Sequence, residues 1–118
     1  MQTADSDHGR LEERSLAMHR LIAEKLRSEP ALLAKALDNL HRWRDSEGSP
    51  EPVLAEWERL LRGPVGQVIQ FITERSERAT RLRQSSPFAG FLTAAERKAI
   101  YESYSARTYH PGRQPDRG

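Results

Sequence analysis

The sequence predicts an all-α protein of about five helices in a small bundle, with flexible tails at both ends. Apolar residues recur at steps of three, four and seven, which is the period of an amphipathic helix. Breaks that contain proline or glycine separate these apolar blocks. No segment alternates apolar and polar residues between turn signals, as a half-buried strand does. We therefore expect a flexible lead-in over residues 1–9, a helical domain over residues 10–104 and a disordered tail over residues 105–118.

The first two predicted helices form a hairpin. The first begins at about Arg10, after a polar stretch that contains Gly9. Its apolar stripe consists of Leu11, Met18, Leu21, Ile22 and Leu26. Pro30 ends it, because proline disfavours helix at the preceding residue and suits the first turn of the next helix. The apolar face of the second helix consists of Leu33, Ala36, Leu37, Leu40 and Trp43. A connection this short predicts an antiparallel pair.

Two further helices follow the turn-forming residues 45–52. The apolar set of the third helix is Val53, Leu54, Trp57, Leu60 and Leu61. Gly63 is a natural stop for this helix because glycine tolerates the left-handed conformation. The fourth helix begins after Pro64 and carries Val65, Val68, Ile69, Phe71 and Ile72. We expect Trp43 and Trp57 to pack on one another on facing helices, at the end of the bundle away from residues 84–93.

Residues 73–83 are compatible with a helix but are strongly charged. They either continue the fourth helix or begin a new one, with Thr73 or Ser76 as its N-cap, and the sequence does not separate these alternatives. The last helix begins at Ala94, because Thr93 and Glu96 have the spacing of a capping box. Its modest apolar face consists of Ala95, Ala99, Ile100 and Tyr104.

One irregular segment, the central loop of residues 84–93, combines aromatic residues with a rigid turn directly after a basic stretch. Pro87 fixes one backbone dihedral and Gly90 permits an unusual one, so the loop should have a specific shape. In one interpretation Phe88 and Phe91 anchor a partner protein. In the other they fold back and fill the end of the bundle. The residues predicted to bind a partner are Arg75, Arg78, Arg81, Arg83, Gln84, Ser85, Ser86, Pro87, Phe88 and Phe91.

Three of these residues, Arg75, Arg78 and Arg81, form what we call the arginine ridge. Their three-residue spacing places them along one side of a helix. The arginine ridge is suited to an acidic protein surface or to phosphates. The alternative is a solvated face that Glu74 and Glu77 neutralise.

The composition narrows the choice of function. The chain has 118 residues, enough for one domain, and 19 basic against 17 acidic residues, so a net charge of +2 gives little support for nucleic-acid binding. A DNA-binding transcriptional regulator remains the alternative function. The chain has no cysteine, which excludes disulfides and thiolate sites. No apolar run reaches the roughly 20 residues of a membrane span, so we expect a cytoplasmic protein with no membrane partner.

The sequence carries no catalytic or metal-binding motif. His8, His19, His41 and His110 show no metal-ligand spacing, and we expect them at the surface or at helix edges. No phosphate-binding loop, dinucleotide glycine pattern or nucleophile elbow is present. We therefore expect no cofactor, no metal and no enzymatic activity.

Three segments together resemble a family of short bacterial helical proteins. They are residues 14–26, the two tryptophan-containing helices, and residues 81–90 (RLRQSSPFAG) followed by Leu92, Thr93, Glu96 and Arg97. Such proteins are similar to the antitoxin member of toxin–antitoxin pairs. The resemblance implies a protein that binds and neutralises a co-encoded toxin enzyme, and it implies no catalytic residue. DNA and a second copy of the chain remain open as further partners.

Overall fold

The computed structural model describes residues 3–46 and 51–105, with side chains from Gly9 onward. Within these residues the protein is all-α and contains no strand, which confirms the predicted fold class. The helices are α1 (Thr3–Ser28), α2 (Leu33–Asp45), α3 (Glu51–Leu61), α4 (Val65–Ile72), α5 (Glu77–Arg83) and α6 (Ala94–Ser103), and a 3-10 turn (Pro30–Leu32) precedes α2.

The first helix begins earlier than the sequence predicted. α1 starts at Thr3, so residues 3–9 belong to the helix instead of preceding it. Gly9 does not end the helix, because one interior glycine costs only about 1 kcal/mol relative to alanine. The predicted disordered tail lies outside the described residues from residue 106 onward.

The charged segment after α4 forms a helix of its own, and therefore the described residues contain six α-helices. Thr73 lies at the C-terminal end of α4. Ser76 caps α5, because its hydroxyl accepts a hydrogen bond from the Ala79 amide at 3.1 Å. The predicted capping box of α6 is also present. Thr93 Oγ1 accepts from the Glu96 amide at 3.0 Å, and Glu96 Oε1 accepts from the Thr93 amide at 2.8 Å.

Trp57 lies at the centre of the core, which joins α1 to α4 and α5 and joins α2 to α3. Its Nε1 donates to the Leu82 carbonyl at 3.2 Å. The rings of Phe71 and Phe88 meet it edge to face, with centroids 6.4 and 5.8 Å away. Trp57 therefore lies beside the central loop, so its expected position at the end of the bundle away from that loop is wrong.

Candidate partner-binding site

The central loop is part of the core. Phe88 and Phe91 are only 4% and 6% exposed, and their rings meet edge to face at 5.2 Å. Pro87 is also fully buried. The prediction that these three residues contact a partner is therefore wrong. Large aromatic side chains each remove about 150–250 Å² from water, which a domain of this size uses to complete its core.

Two residues of α2 hold the backbone of the central loop in place. Asn39 is buried, and its Nδ2 donates to the carbonyls of Pro87 at 2.8 Å and Ala89 at 3.2 Å. Lys35 Nζ donates to the Gly90 carbonyl at 3.1 Å. Gly90 has a φ of +84°, which side-chain-bearing residues rarely adopt. These bonds supply the donors that the loop carbonyls need before the aromatics can be buried.

His19 holds the loop from the side of α1. It is 2% exposed, its Nδ1 donates to the Ser15 carbonyl at 2.8 Å, and its Nε2 therefore accepts from the Ser86 hydroxyl at 2.9 Å. The expectation of a surface histidine is wrong for this residue. The pKa of His19 is lowered to about 4, mainly by burial, while the hydrogen bond to the Ser15 carbonyl opposes the shift and the charge of Arg83 adds to it.

The contact between His19 and Ser86 has the arrangement of a base and its nucleophile. However, an imidazole with a pKa of about 4 is a weak base at neutral pH. The Ser86 hydroxyl also accepts from the Phe88 amide at 3.4 Å. The pair is best explained as a structural connection that fixes the start of the loop, with half-buried Ser86 as part of it.

The arginine ridge is paired with carboxylates of other helices. Arg75 binds both carboxylate oxygens of Glu13, at 2.7 and 3.2 Å. Arg78 contacts Glu56 at 2.6 Å, and Arg81 lies 3.6 Å from the same carboxylate. Hydrogen bonds from Arg75 and Arg78 are the main causes that lower the pKa values of Glu13 and Glu56.

The predicted geometry of the ridge is also wrong. Arg75 precedes α5, which begins at Glu77, so the three arginines do not share one side of a single helix. The ridge thus sets three arginines against two carboxylates, Glu13 and Glu56, and keeps a net charge of +1.

Arg83 is buried as well, at 6% exposure, and joins α4 to α5. Its Nη1 donates to the carbonyls of Ile72 at 3.2 Å and Glu74 at 2.7 Å, and its Nη2 donates to Thr80 Oγ1 at 3.2 Å. Burial is the main cause that lowers the pKa of the guanidinium. Among its predicted neighbours in the site, Gln84 is exposed and Ser85 is half-buried.

A different surface carries the exposed apolar groups. Among the described residues, the large apolar side chains that are exposed are Leu11 at 42% and Tyr101 at 43%. The guanidinium carbon of Arg14 lies 4.3 Å from the centroid of the Tyr101 ring, and Leu11 is one helical turn before Arg14. We call these three residues the α1–α6 face. The α6 helix has no buried residue and packs against α1, which leaves this face open.

The sequence contained part of the signal for this face. Leu11 belongs to the apolar stripe of the first helix, but the sequence does not show that no other element covers that end of the stripe. Tyr101 lies outside the predicted apolar face of α6, and its contact with Arg14 spans 87 residues of chain.

A groove of about 370 Å³ runs between α1 and α5 beside this face, and we call it the α1–α5 groove. Leu11 and Met18 supply apolar lining, and Arg83 and Gln84 line it from the end of α5. The groove and the α1–α6 face share Leu11 and Arg14, so they form one continuous surface. Two of the ten predicted site residues, Arg83 and Gln84, thus border the surface that is open.

These features define a small all-α protein with a packed core and a mixed apolar and basic surface on α1, α5 and α6. Within residues 3–46 and 51–105, no group of three or more histidine or acidic residues is placed to hold a metal ion. No helix in the same residues is both long and apolar enough to cross a membrane. No protein-family model, curated protein or solved structure matches the chain.

Proposed function

We propose that this chain is a protein-binding module whose partner contacts the α1–α6 face. The observation that carries the proposal is the contact between Arg14 and Tyr101, with exposed Leu11 beside it. Tyrosine and arginine are enriched among the residues that dominate binding energy in protein interfaces. Arg14 is already stacked on the Tyr101 ring, so less side-chain entropy is lost when a partner covers the pair.

In its specific form, we propose an antitoxin-like protein that binds and neutralises a co-encoded toxin enzyme. Support for this form comes from the resemblance of residues 14–26 and 81–90 to small bacterial helical proteins of that kind. Because the central loop is buried, we assign its aromatic residues a structural role: they complete the core from the loop between α5 and α6. The binding surface is therefore proposed on the α1–α6 face.

The DNA-binding alternative has less support. The arginine ridge is paired with Glu13 and Glu56, and these carboxylates would repel phosphates. The helix pair with the best spacing for a DNA reader is α3 and α4, but the exposed residues at the start of α4 are Gly66 and Gln67, which carry no charge.

The test is co-expression of the chain with the product of its neighbouring gene. We expect a stable complex in size-exclusion chromatography with light scattering, and restored growth of cells in which that product is toxic. Tyr101→Ala should weaken the complex by roughly thirtyfold, the size of a strong interface residue. Arg59→Ala is the matched control, because Arg59 is an exposed residue on α3 with no ion pair among the described residues.

Two results would contradict the proposal. One is a neighbouring gene product that stays equally toxic when the chain is present. The other is a complex whose affinity is the same for the wild type, Tyr101→Ala and Arg59→Ala. Because Tyr101 is 43% exposed, its replacement should leave the melting temperature nearly unchanged, and a loss of binding can then be assigned to the interface.

A further inference from the structure

We propose that the α1–α5 groove binds a carboxylate side chain from an acidic segment of the partner protein, with Arg83 as its receptor. This inference rests on the proposed function, since it names the chemistry of the partner that would cover the adjoining α1–α6 face. The groove takes one acidic residue together with an apolar neighbour.

The first observation is that Arg83 is a buried cation without an anion. Its hydrogen-bond acceptors are the neutral oxygens of Ile72, Glu74 and Thr80. None of the carboxylates in the described residues forms an ion pair with it. A buried charge is costly unless it is paired, and proteins ordinarily supply a counter-ion. A buried cation for which the protein supplies no counter-ion is therefore a candidate site for an external anion.

The second observation is that Arg83 retains unused donors. A guanidinium has five N–H groups, and the three bonds to Ile72, Glu74 and Thr80 leave two, one of which is on Nε. Every fully buried side-chain nitrogen or oxygen of the described residues has a hydrogen-bond partner. Nε has none, so it is not fully buried. Because Arg83 lines the α1–α5 groove, we take the groove as the side from which a carboxylate would approach.

The third observation is the balance of charge around Arg83. The charged residues that line the groove are Arg14, Arg83 and the single carboxylate Glu12. The lining therefore carries one positive charge in excess. A carboxylate that enters the groove would balance it in a partly desolvated position, where the attraction is larger than in water.

The shape of the groove favours a peptide over nucleic acid. Leu11 and Met18 provide apolar contact beside Arg83, and the volume of about 370 Å³ suits one or two side chains. A nucleic-acid strand needs several cations in succession. Here Glu12 also lines the groove, and the nearby Arg75 is paired with Glu13.

The experiment selects ligands for the full chain from a display library of random 12-residue peptides. We expect binders that contain Asp or Glu next to an apolar residue. Replacement of that acid by its amide should raise the Kd about tenfold, measured by calorimetry. Gln84→Glu should weaken the acidic peptide by a similar factor, because Gln84 is exposed, lines the groove and would add a like charge.

Gln67→Glu is the matched control, since Gln67 is an exposed glutamine on α4. It should leave the Kd unchanged. For the peptide whose acid is replaced by its amide, Gln84→Glu should raise the Kd much less, because the peptide no longer carries a like charge. Gln84→Glu is preferred to replacement of Arg83, which also joins α4 to α5 and whose loss could unfold the chain.

The outcomes separate this inference from the proposed function. Two results would contradict the carboxylate site in the groove and still support a partner on the α1–α6 face. One is a set of peptides that bind without an acidic residue. The other is a set whose Kd is unchanged by Gln84→Glu but whose binding is abolished by Tyr101→Ala. A library that yields no acid-dependent binder overturns the inference as well. A single-stranded oligonucleotide that displaces the peptide and is weakened more by Gln84→Glu would assign the groove to nucleic acid instead.

Discussion

The central loop and the α1–α6 face each place an aromatic ring beneath a cation, but the two rings lie in opposite environments. Lys35 Nζ lies 5.2 Å from the centroid of the Phe91 ring in the loop, and the guanidinium of Arg14 lies 4.3 Å from that of Tyr101. Phe88 is 4% exposed, whereas Tyr101 is 43% exposed. Two side chains of α2, Lys35 and Asn39, donate to the backbone carbonyls of the loop, so its aromatics can enter the core. Tyr101 lies on a helix with no buried residue, and its ring has only Arg14 above it. The difference shows that an irregular aromatic motif does not by itself define a docking site.

The first prediction concerns the truncation of one aromatic residue in each region. Phe88→Ala should lower the free energy of unfolding by about 3–5 kcal/mol, because it leaves a cavity between Trp57, Phe91 and His19. Tyr101→Ala should change it by less than about 0.5 kcal/mol. Urea denaturation followed by circular dichroism measures both. Equal stability of the two variants, with binding lost only in Phe88→Ala, would restore the loop as a docking element.

The second prediction concerns pH, because His19 connects α1 to the central loop. The pKa of His19 is about 4 in the folded protein and near 6.5 when unfolded. As the pH falls, His19 is therefore protonated in the unfolded chain before it is protonated in the folded protein. The free energy of unfolding should fall as the pH drops from about 6.5 to about 4. The full loss is on the order of 3 kcal/mol.

The measurement is the urea midpoint at pH 7 and at pH 4 for the wild type and His19→Gln. Carboxylates such as Glu13 also titrate in acid, so the quantity to compare is the difference in pH dependence between the two proteins. Arg59→Ala, the exposed control on α3, removes no group that titrates between pH 4 and pH 7 and should follow the wild type. If wild type and His19→Gln lose stability in parallel, the buried neutral imidazole is not responsible.

The smallest of the three effects tests the donors that hold the loop. Asn39→Ala leaves the carbonyls of Pro87 and Ala89 without their donor and should cost about 1–3 kcal/mol. Its exposed neighbour Asp38→Ala is the control and should be close to neutral. Hydrogen exchange should also speed up at the Phe91 amide, which donates to the Phe88 carbonyl. Unchanged exchange in Asn39→Ala would show that the loop does not depend on this residue.

The features that the sequence predicted correctly are those set by local interactions. The capping box of Thr93 and Glu96 depends on residues three positions apart, and the structure contains it. The cap at Ser76 was one of two alternatives, because Thr73 has the same chemistry. Thr73 instead donates its hydroxyl to the Ile69 carbonyl at the end of α4. Local chemistry thus predicted where α4 and α6 begin.

The site was harder to predict because its environment depends on residues distant in sequence. The partner of Ser86 is His19, 67 residues earlier, and the donor to Pro87 is Asn39, 48 residues earlier. No local pattern indicates these pairings. Leu11 presents the converse case, since its apolar stripe predicted a contact, yet that end of α1 remains 42% exposed at this residue. The sequence showed which side chains are apolar, and tertiary packing determined which are covered.

The position of Trp57 gives the molecule an internal optical reporter. Its indole donates to the carbonyl of Leu82 and touches the ring of Phe88, so emission from this residue should respond when the segment that carries Phe88 leaves the interior. Trp43 is the second tryptophan of the chain, and a Trp43→Phe background would leave a single emitter. Fluorescence could then follow in real time whether an associating molecule leaves that segment seated or draws it out.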